Sequence, residues 1–203
     1  MSPSYNLVGF TNYLAVFNDS RFYEALINTI IFTVGALIPT IVLGLLLALA
    51  LSKKFHGSEI LKFIIFSPWI TPTVAISIVW TWIFQPDGGT AKPIWNFCQH
   101  PGLKWISSSD TAMLSVILVT VWKSLGYAMI FYLSALEKVP KDLYEASSID
   151  GAHGLRQFFD ITLPSISPTT FFLTIITMIN SVSFLSFFSY DIFCGNLKQK
   201  EDT

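Results

Sequence analysis

The chain alternates long apolar stretches with short polar ones, and that alternation alone predicts an architecture. Four stretches are free or nearly free of charge over the roughly 20 residues that a helix needs to cross a bilayer. The first covers 25–52 and contains the dense run 40–51, in which Leu predominates. The second covers 63–86 and is rich in Ile, Val and Trp. The third covers 111–136 and is interrupted once, by Lys123. The fourth covers 161–190, with its first residues reading as a loop. None carries the polar face expected of a soluble helix of this length. The pattern predicts an all-α transmembrane fold with four spans. Pro39, Pro68, Pro72 and Pro168 fall inside the spans. Within a bundle, neighbouring helices and Ser/Thr hydroxyls can re-satisfy the carbonyls that a proline frees. Pro68 and Pro72 bracket Thr71, with Thr73 next, and predict a broken or kinked second span.

The polar connections set the orientation. Lys53, Lys54 and Lys62 lie between the first two spans, and Lys138, Lys141 and Arg156 between the last two. The bias of basic residues toward cytoplasmic loops places both connections inside the cell. The loop 87–110 then lies outside, with Lys92 and Lys104 set among Trp95, Phe97 and Trp105.

Composition sharpens the class. Hydrophobic residues make up 52% and charged residues 12%, about half the charge of an average soluble domain. Mean hydropathy is +0.58. The 18 Phe, 6 Trp and 7 Tyr suit lipid-facing walls and interfacial belts. A net charge of −1 without a basic patch gives no support to a nucleic-acid partner. Cys98 and Cys194 lie far apart and show no metal-ligand spacing. His56, His100 and His153 are scattered over loops as surface imidazoles. The chain has no GxxxxGK[ST] phosphate loop, no HExxH and no GxSxG, so its own residues point to no covalent chemistry or metal site.

The informative segment lies between the third and fourth spans. Glu145-Ala146-Ser147 is followed after three residues by Gly151, then after nine by Ile161, and then by Leu163-Pro164. Residues 141–150 form a plausible amphipathic helix, with Leu143, Ala146, Ser147 and Asp150 near one face. Gly151 fits a left-handed cap at its end, with Ala152 next, and Pro164 is expected to end the following segment. An ordinary solvated connector is the plainer reading of the residue types alone.

The whole spaced pattern resembles the cytoplasmic loop of permease subunits of bacterial binding-protein-dependent ABC importers, with Ser147 in place of the second Ala. Residues 8–13 with Phe17, Asp19 and Arg21, then 28–32 and 121–127, are also similar to the sugar-uptake branch of that family. The resemblance implies a type I importer permease core in the bacterial inner membrane, crossed several times and surrounded by lipid. It implies that Glu145, Ala146, Ser147, Asp150, Gly151, Ala152, Leu163 and Pro164 couple the chain to an ATP-binding cassette subunit. ATP would be bound by that partner, with no cofactor in this chain. A second permease subunit and an extracytoplasmic solute-binding protein are the other implied partners.

Residues 1–22 would then be an extracytoplasmic segment, 23–190 the transmembrane domain with its coupling loop at 137–165, and 191–203 an atypical tail. Members of the family usually have a span before and a span after these four, and a Gly-Gly-Pro element echoed here only by Gly195. The chain is therefore expected to be the middle of a longer permease pattern, cut at both ends.

Within the spans, three polar residues are candidates for a solute path: Lys123, Asn180 and Ser181. Intramembrane charge points to function by default. An interhelical role is the favoured alternative for Lys123, and helix–helix hydrogen bonding for Asn180 and Ser181. A secondary carrier or channel, or a non-functional permease fragment, is the competing reading of the whole chain. A carrier would need acidic or His side chains within the spans for ion coupling, and the sequence offers none there.

Overall fold

The structure is a computed structural model that describes residues 9–53, 55–84 and 109–201. The short helix α1 (Thr11–Phe17) leads into α2 (Ser20–Leu51). Next come α3 (Ser58–Ile70) and α4 (Thr73–Ile83). After the loop whose residues 85–108 lie outside the described set, α5 spans Ser109–Glu137 and α6 spans Lys141–Ile149. The single turn α7 (Leu155–Gln157), a π-helical turn (Phe158–Thr162) and α8 (Leu163–Glu201) close the chain. At 1.5 Å per residue, the 32 residues of α2 reach about 48 Å, well beyond a hydrocarbon core.

Helix α5 is the centre of the bundle and touches α2, α3 and α8. Along α2 the residues at every fourth position divide into two stripes. Phe32, Ala36, Thr40, Gly44 and Ala48 are buried, while Ile30, Val34, Ile38, Val42 and Leu46 are exposed. Small side chains on the buried stripe let two backbones approach closely, the usual basis of helix association in lipid. The exposed stripe presents branched aliphatic side chains, as a lipid-facing or subunit-facing wall requires. A buried cluster joins Ala48 and Leu51 of α2, Ala128, Met129, Tyr132 and Leu133 of α5, and Ile166 and Leu173 of α8. The hydroxyl of Tyr132 donates to Thr170 Oγ1 at 3.2 Å and ties α5 to α8 within it.

The second apolar stretch is broken as its prolines predicted. Helices α3 and α4 meet at 97°. Thr71 is extended (φ −70°, ψ 134°), the conformation favoured for a residue that precedes proline, and Pro72 stands at the N-cap of α4. Pro68 and Pro168 stay inside their helices, and one device serves both. Ser67 Oγ donates to Ile64 O at 3.0 Å, and Ser167 Oγ donates to Pro164 O at 2.8 Å. Those are the carbonyls that lose a partner because proline lacks an N–H. The serine before each proline supplies the missing donor.

The start of the fourth span differs from the sequence expectation. Residues 155–163 are helical rather than a loop, and Pro164 sits in the first turn of α8 instead of ending a segment. The π-helical turn is the physical reason. Leu163 N–H donates to Phe158 O, five residues back, which widens the coil before the proline ring arrives. Helix α8 runs from Leu163 to Glu201.

Candidate functional site

Two places gather the residues that the sequence singled out. The first is the connection between α5 and α8. Helix α6 begins after Pro140 and carries Asp142 in its first turn, where an acid favours the positive end of the helix dipole. It ends in a complete Schellman motif. Gly151 has φ +79°, its N–H donates to Ser148 O at 3.2 Å, and Ala152 N–H donates to Ser147 O at 2.9 Å. The glycine cap expected from the sequence is thus present, and it turns the chain back toward the bundle.

One face of α6 is held and the other is bare. Tyr144 OH lies 2.9 Å from Thr162 Oγ1 in the π-helical turn. The side-chain amide nitrogen of Gln157 lies 3.2 Å from Tyr144 O, 3.0 Å from Ser147 Oγ and 2.9 Å from Ser148 Oγ. Ser147 and Ala152 face this anchored side, half-buried and buried respectively. Glu145, Ala146, Asp150 and Gly151 are exposed, as are Leu163 and Pro164 at the head of α8. Ile149 and Leu155 are also bare, at 87% and 77% exposure. The sequence reading did not single out Tyr144, Gln157, Thr162, Ile149 or Leu155. The three polar residues have no local signature, because their contact spans 13 to 18 residues of chain. The two aliphatic ones would suit a core equally well.

Gln157 is the hub of this anchor, so Gln157→Leu should loosen α6 by about 1 kcal/mol, the net worth of a typical hydrogen-bonded contact. Amide hydrogen exchange over residues 141–152 should then speed up by about fivefold. Unchanged exchange would show that the network does not hold the helix.

The second place is a cavity of about 380 Å³ at the break between α3 and α4. Trp69 and Thr73 line it from either side of the break. Thr120, Lys123, Ser124 and Tyr127 come from α5, and Thr177, Asn180, Ser181 and Ser183 from α8. The three candidates predicted within the spans therefore share one wall. Lys123 Nζ donates to Thr73 Oγ1, which is an interhelical bond, and the same side chain also faces the cavity. Trp69 and Tyr127 stack with ring centroids 4.3 Å apart and planes 25° apart. Ser181 is 1% exposed and its Oγ has no hydrogen-bond partner among the described residues. Among the described residues, no carboxylate lines the cavity. Sequence reasoning missed Trp69 and Tyr127, because two aromatics 58 positions apart announce a shared surface only after folding.

The described residues thus form a helical bundle with a broken span, a polar cavity at the break and a short helix displayed at one end. The chain belongs to the family described as binding-protein-dependent transport system inner membrane component, whose profile matches residues 13–192. It is an inner-membrane component with the type I ABC importer permease fold. Among its relatives, the probable ABC transporter permease protein YurN of Bacillus subtilis is 33% identical over 184 residues, covering 87% of this chain and 62% of YurN. The sn-glycerol-3-phosphate transport system permease protein UgpA of Agrobacterium fabrum is 33% identical, covering 87% of this chain and 60% of its own length. The sulfoquinovosyl glycerol transport system permease protein SmoG of the same organism is 31% identical over 80% of this chain and 53% of its own. The chain thus spans about 53–62% of the length of these relatives. Among solved structures, a bacterial ABC transporter involved in the import of the acidic polysaccharide alginate superposes with a TM-score of 0.77 at 22% identity, covering 87% of this chain and 63% of that one.

Proposed function

We propose that this chain lines part of the solute path of an ATP-driven importer and receives the power stroke through α6. The observation that carries the reading is the two-sided character of α6. One face is pinned through Tyr144 and Gln157 to α7 and the π-helical turn that lead into α8, and the other presents Glu145, Ala146, Ile149 and Gly151 with nothing packed on them among the described residues. A helix held this way transmits a push at its outer face directly into two spans. Ala146 and Gly151 permit close approach of a partner, Ile149 offers it an apolar anchor, and Glu145 offers a charge. The partner of this chemistry is the ATP-binding cassette subunit, which binds the ATP. A second permease subunit would complete the path, and an extracytoplasmic solute-binding protein would deliver the cargo.

The cavity at the α3–α4 break supplies the polar surface along that path. Hydroxyls from Thr73, Thr120, Ser124, Thr177, Ser181 and Ser183, with the Trp69–Tyr127 stack, suit a polyhydroxylated solute. Aromatic faces receive the C–H side of a sugar ring while hydroxyls and amides read its edges. The names of the relatives that mention sn-glycerol-3-phosphate and sulfoquinovosyl glycerol support that class.

A cross-linking experiment tests the coupling claim. Ala146→Cys in the assembled importer should form a disulfide with cysteines placed on the surface of the ATPase subunit that faces the permease. The yield should change between nucleotide-free and ATP-bound states. If a water-soluble maleimide labels the introduced thiol at the same rate with and without the ATPase subunit, α6 is removed from the interface.

A further inference from the structure

The cavity at the broken span carries a charge pattern that its hydroxyls do not explain. We propose that the transported solute is anionic, a polyhydroxylated body bearing a carboxylate, phosphate or sulfonate, and that Lys123 is its counter-charge inside the membrane. This rests on the reading of the cavity as part of a solute path.

Three observations converge on one wall. Among the described residues that line the cavity, Lys123 carries the charge and no Asp or Glu accompanies it. Its bond to Thr73 Oγ1 uses one of three ammonium donors and holds the head group at the cavity. Thr73 is also the first residue of α4, an eleven-residue helix that Pro72 opens without a side-chain cap. Its uncapped first turn adds the partial positive charge of a helix N-terminus beside the ammonium. Asn180 and Ser181 of α8 line the same cavity.

A charge within a span is expensive to bury, so a neutral cargo would be served better by a neutral polar residue at position 123. A cationic cargo would be repelled by both Lys123 and the α4 terminus. A lone latch between α3–α4 and α5 needs only a hydroxyl or an amide. An anion alone uses every element of the wall: ammonium and helix terminus for the charge, and Ser181, Asn180 and the threonines for the hydroxyl-bearing body. The Trp69–Tyr127 stack receives the ring face.

The test uses the complete importer, with its partner permease, ATPase subunits and binding protein, in phosphatidylcholine vesicles. The probes are matched pairs: digalacturonate against neutral digalactose, and glycerol 3-phosphate against glycerol. ATP-driven uptake should favour the charged member of a pair. Lys123→Gln should lower that uptake tenfold or more, and Lys123→Arg should restore most of it, with both variants co-purifying with the partner subunits. Thr73→Val breaks the latch but keeps the charge, and should retain the preference for the charged member. Equal losses in Lys123→Gln and Thr73→Val, with the preference intact in both, would reduce Lys123 to a latch. Uptake of the neutral members as fast as the charged ones would overturn the anionic class and leave the importer reading standing. A Lys123→Gln defect that appears only when phosphatidylglycerol is added, whatever the solute, would assign the wall to a lipid headgroup and overturn the proposal. Absence of ATP-driven uptake for every pair would overturn the importer reading and the inference with it.

Discussion

Gly151→Pro is expected to uncouple ATP hydrolysis from solute uptake while leaving the spans folded. Two features of the α6 terminus depend on this glycine. Its φ of +79° lies outside the range a proline ring allows, and its N–H makes the 3.2 Å bond to Ser148 O that proline cannot make. The next bond of the motif, Ala152 N–H to Ser147 O at 2.9 Å, depends on the same turn. With the cap gone, the chain leaves α6 in another direction and the anchoring of Tyr144 and Gln157 is lost. Coupling free energies of about 1–3 kcal/mol correspond to about 5- to 150-fold changes, and uptake per ATP should fall within that range. Gly151→Ala should be milder, because a left-handed Ala costs only about 1–2 kcal/mol of backbone energy and keeps the N–H. Glu145→Arg probes the other half of the mechanism. Glu145 is exposed on the bare face of α6, so its reversal should leave the fold unchanged and weaken the contact with the ATPase subunit. Measured in reconstituted vesicles, unchanged uptake per ATP in both Gly151→Pro and Glu145→Arg would refute the lever.

The second large effect concerns assembly of the bundle. Gly126 of α5 lies directly against the backbone of α3. A Cβ there would run into Ile65 O and stand 2.6 Å from Phe66 Cα. Backbone cannot step aside as a side-chain methyl can, so Gly126→Ala should separate α3 from α5. Overpacking of this kind costs about 3 kcal/mol, the upper part of the usual range. The function follows the packing, because the next residue, Tyr127, stacks on Trp69 of α3 at 4.3 Å across the same contact. Gly35→Ala provides the comparison. Its Cβ would meet Ile117 Cδ1 at 2.8 Å, the free end of a flexible side chain that can rotate away. Thermal unfolding in detergent should therefore shift strongly for Gly126→Ala and little for Gly35→Ala. Equal behaviour of the two would mean that the close approach of α3 and α5 is not what holds the second span.

Some of this was readable before folding. The four apolar stretches are local properties, since a bilayer demands length and apolarity from each segment on its own. The break at Pro72 is local too, because the ring acts on its neighbour's backbone. The Gly151 cap needed only a glycine at the end of a short amphipathic run. The π-helical turn before Pro164 was not readable. A helix that widens to admit a proline and a loop that stops at it have the same sequence, and the bond of Thr162 to Tyr144 of α6 favours the helix.

The site divides along the same line. Residue order alone marked out what could serve: a spaced loop from Glu145 to Pro164, and three polar side chains within apolar spans. It took the packing of the helices to put Lys123, Asn180 and Ser181 on one wall with Trp69 and Tyr127, and to pin α6 through Tyr144 and Gln157. The difference lies in the range of the forces involved. Propensity, caps and span length act within a few residues, whereas a cavity is what remains between helices once their small-residue stripes have met.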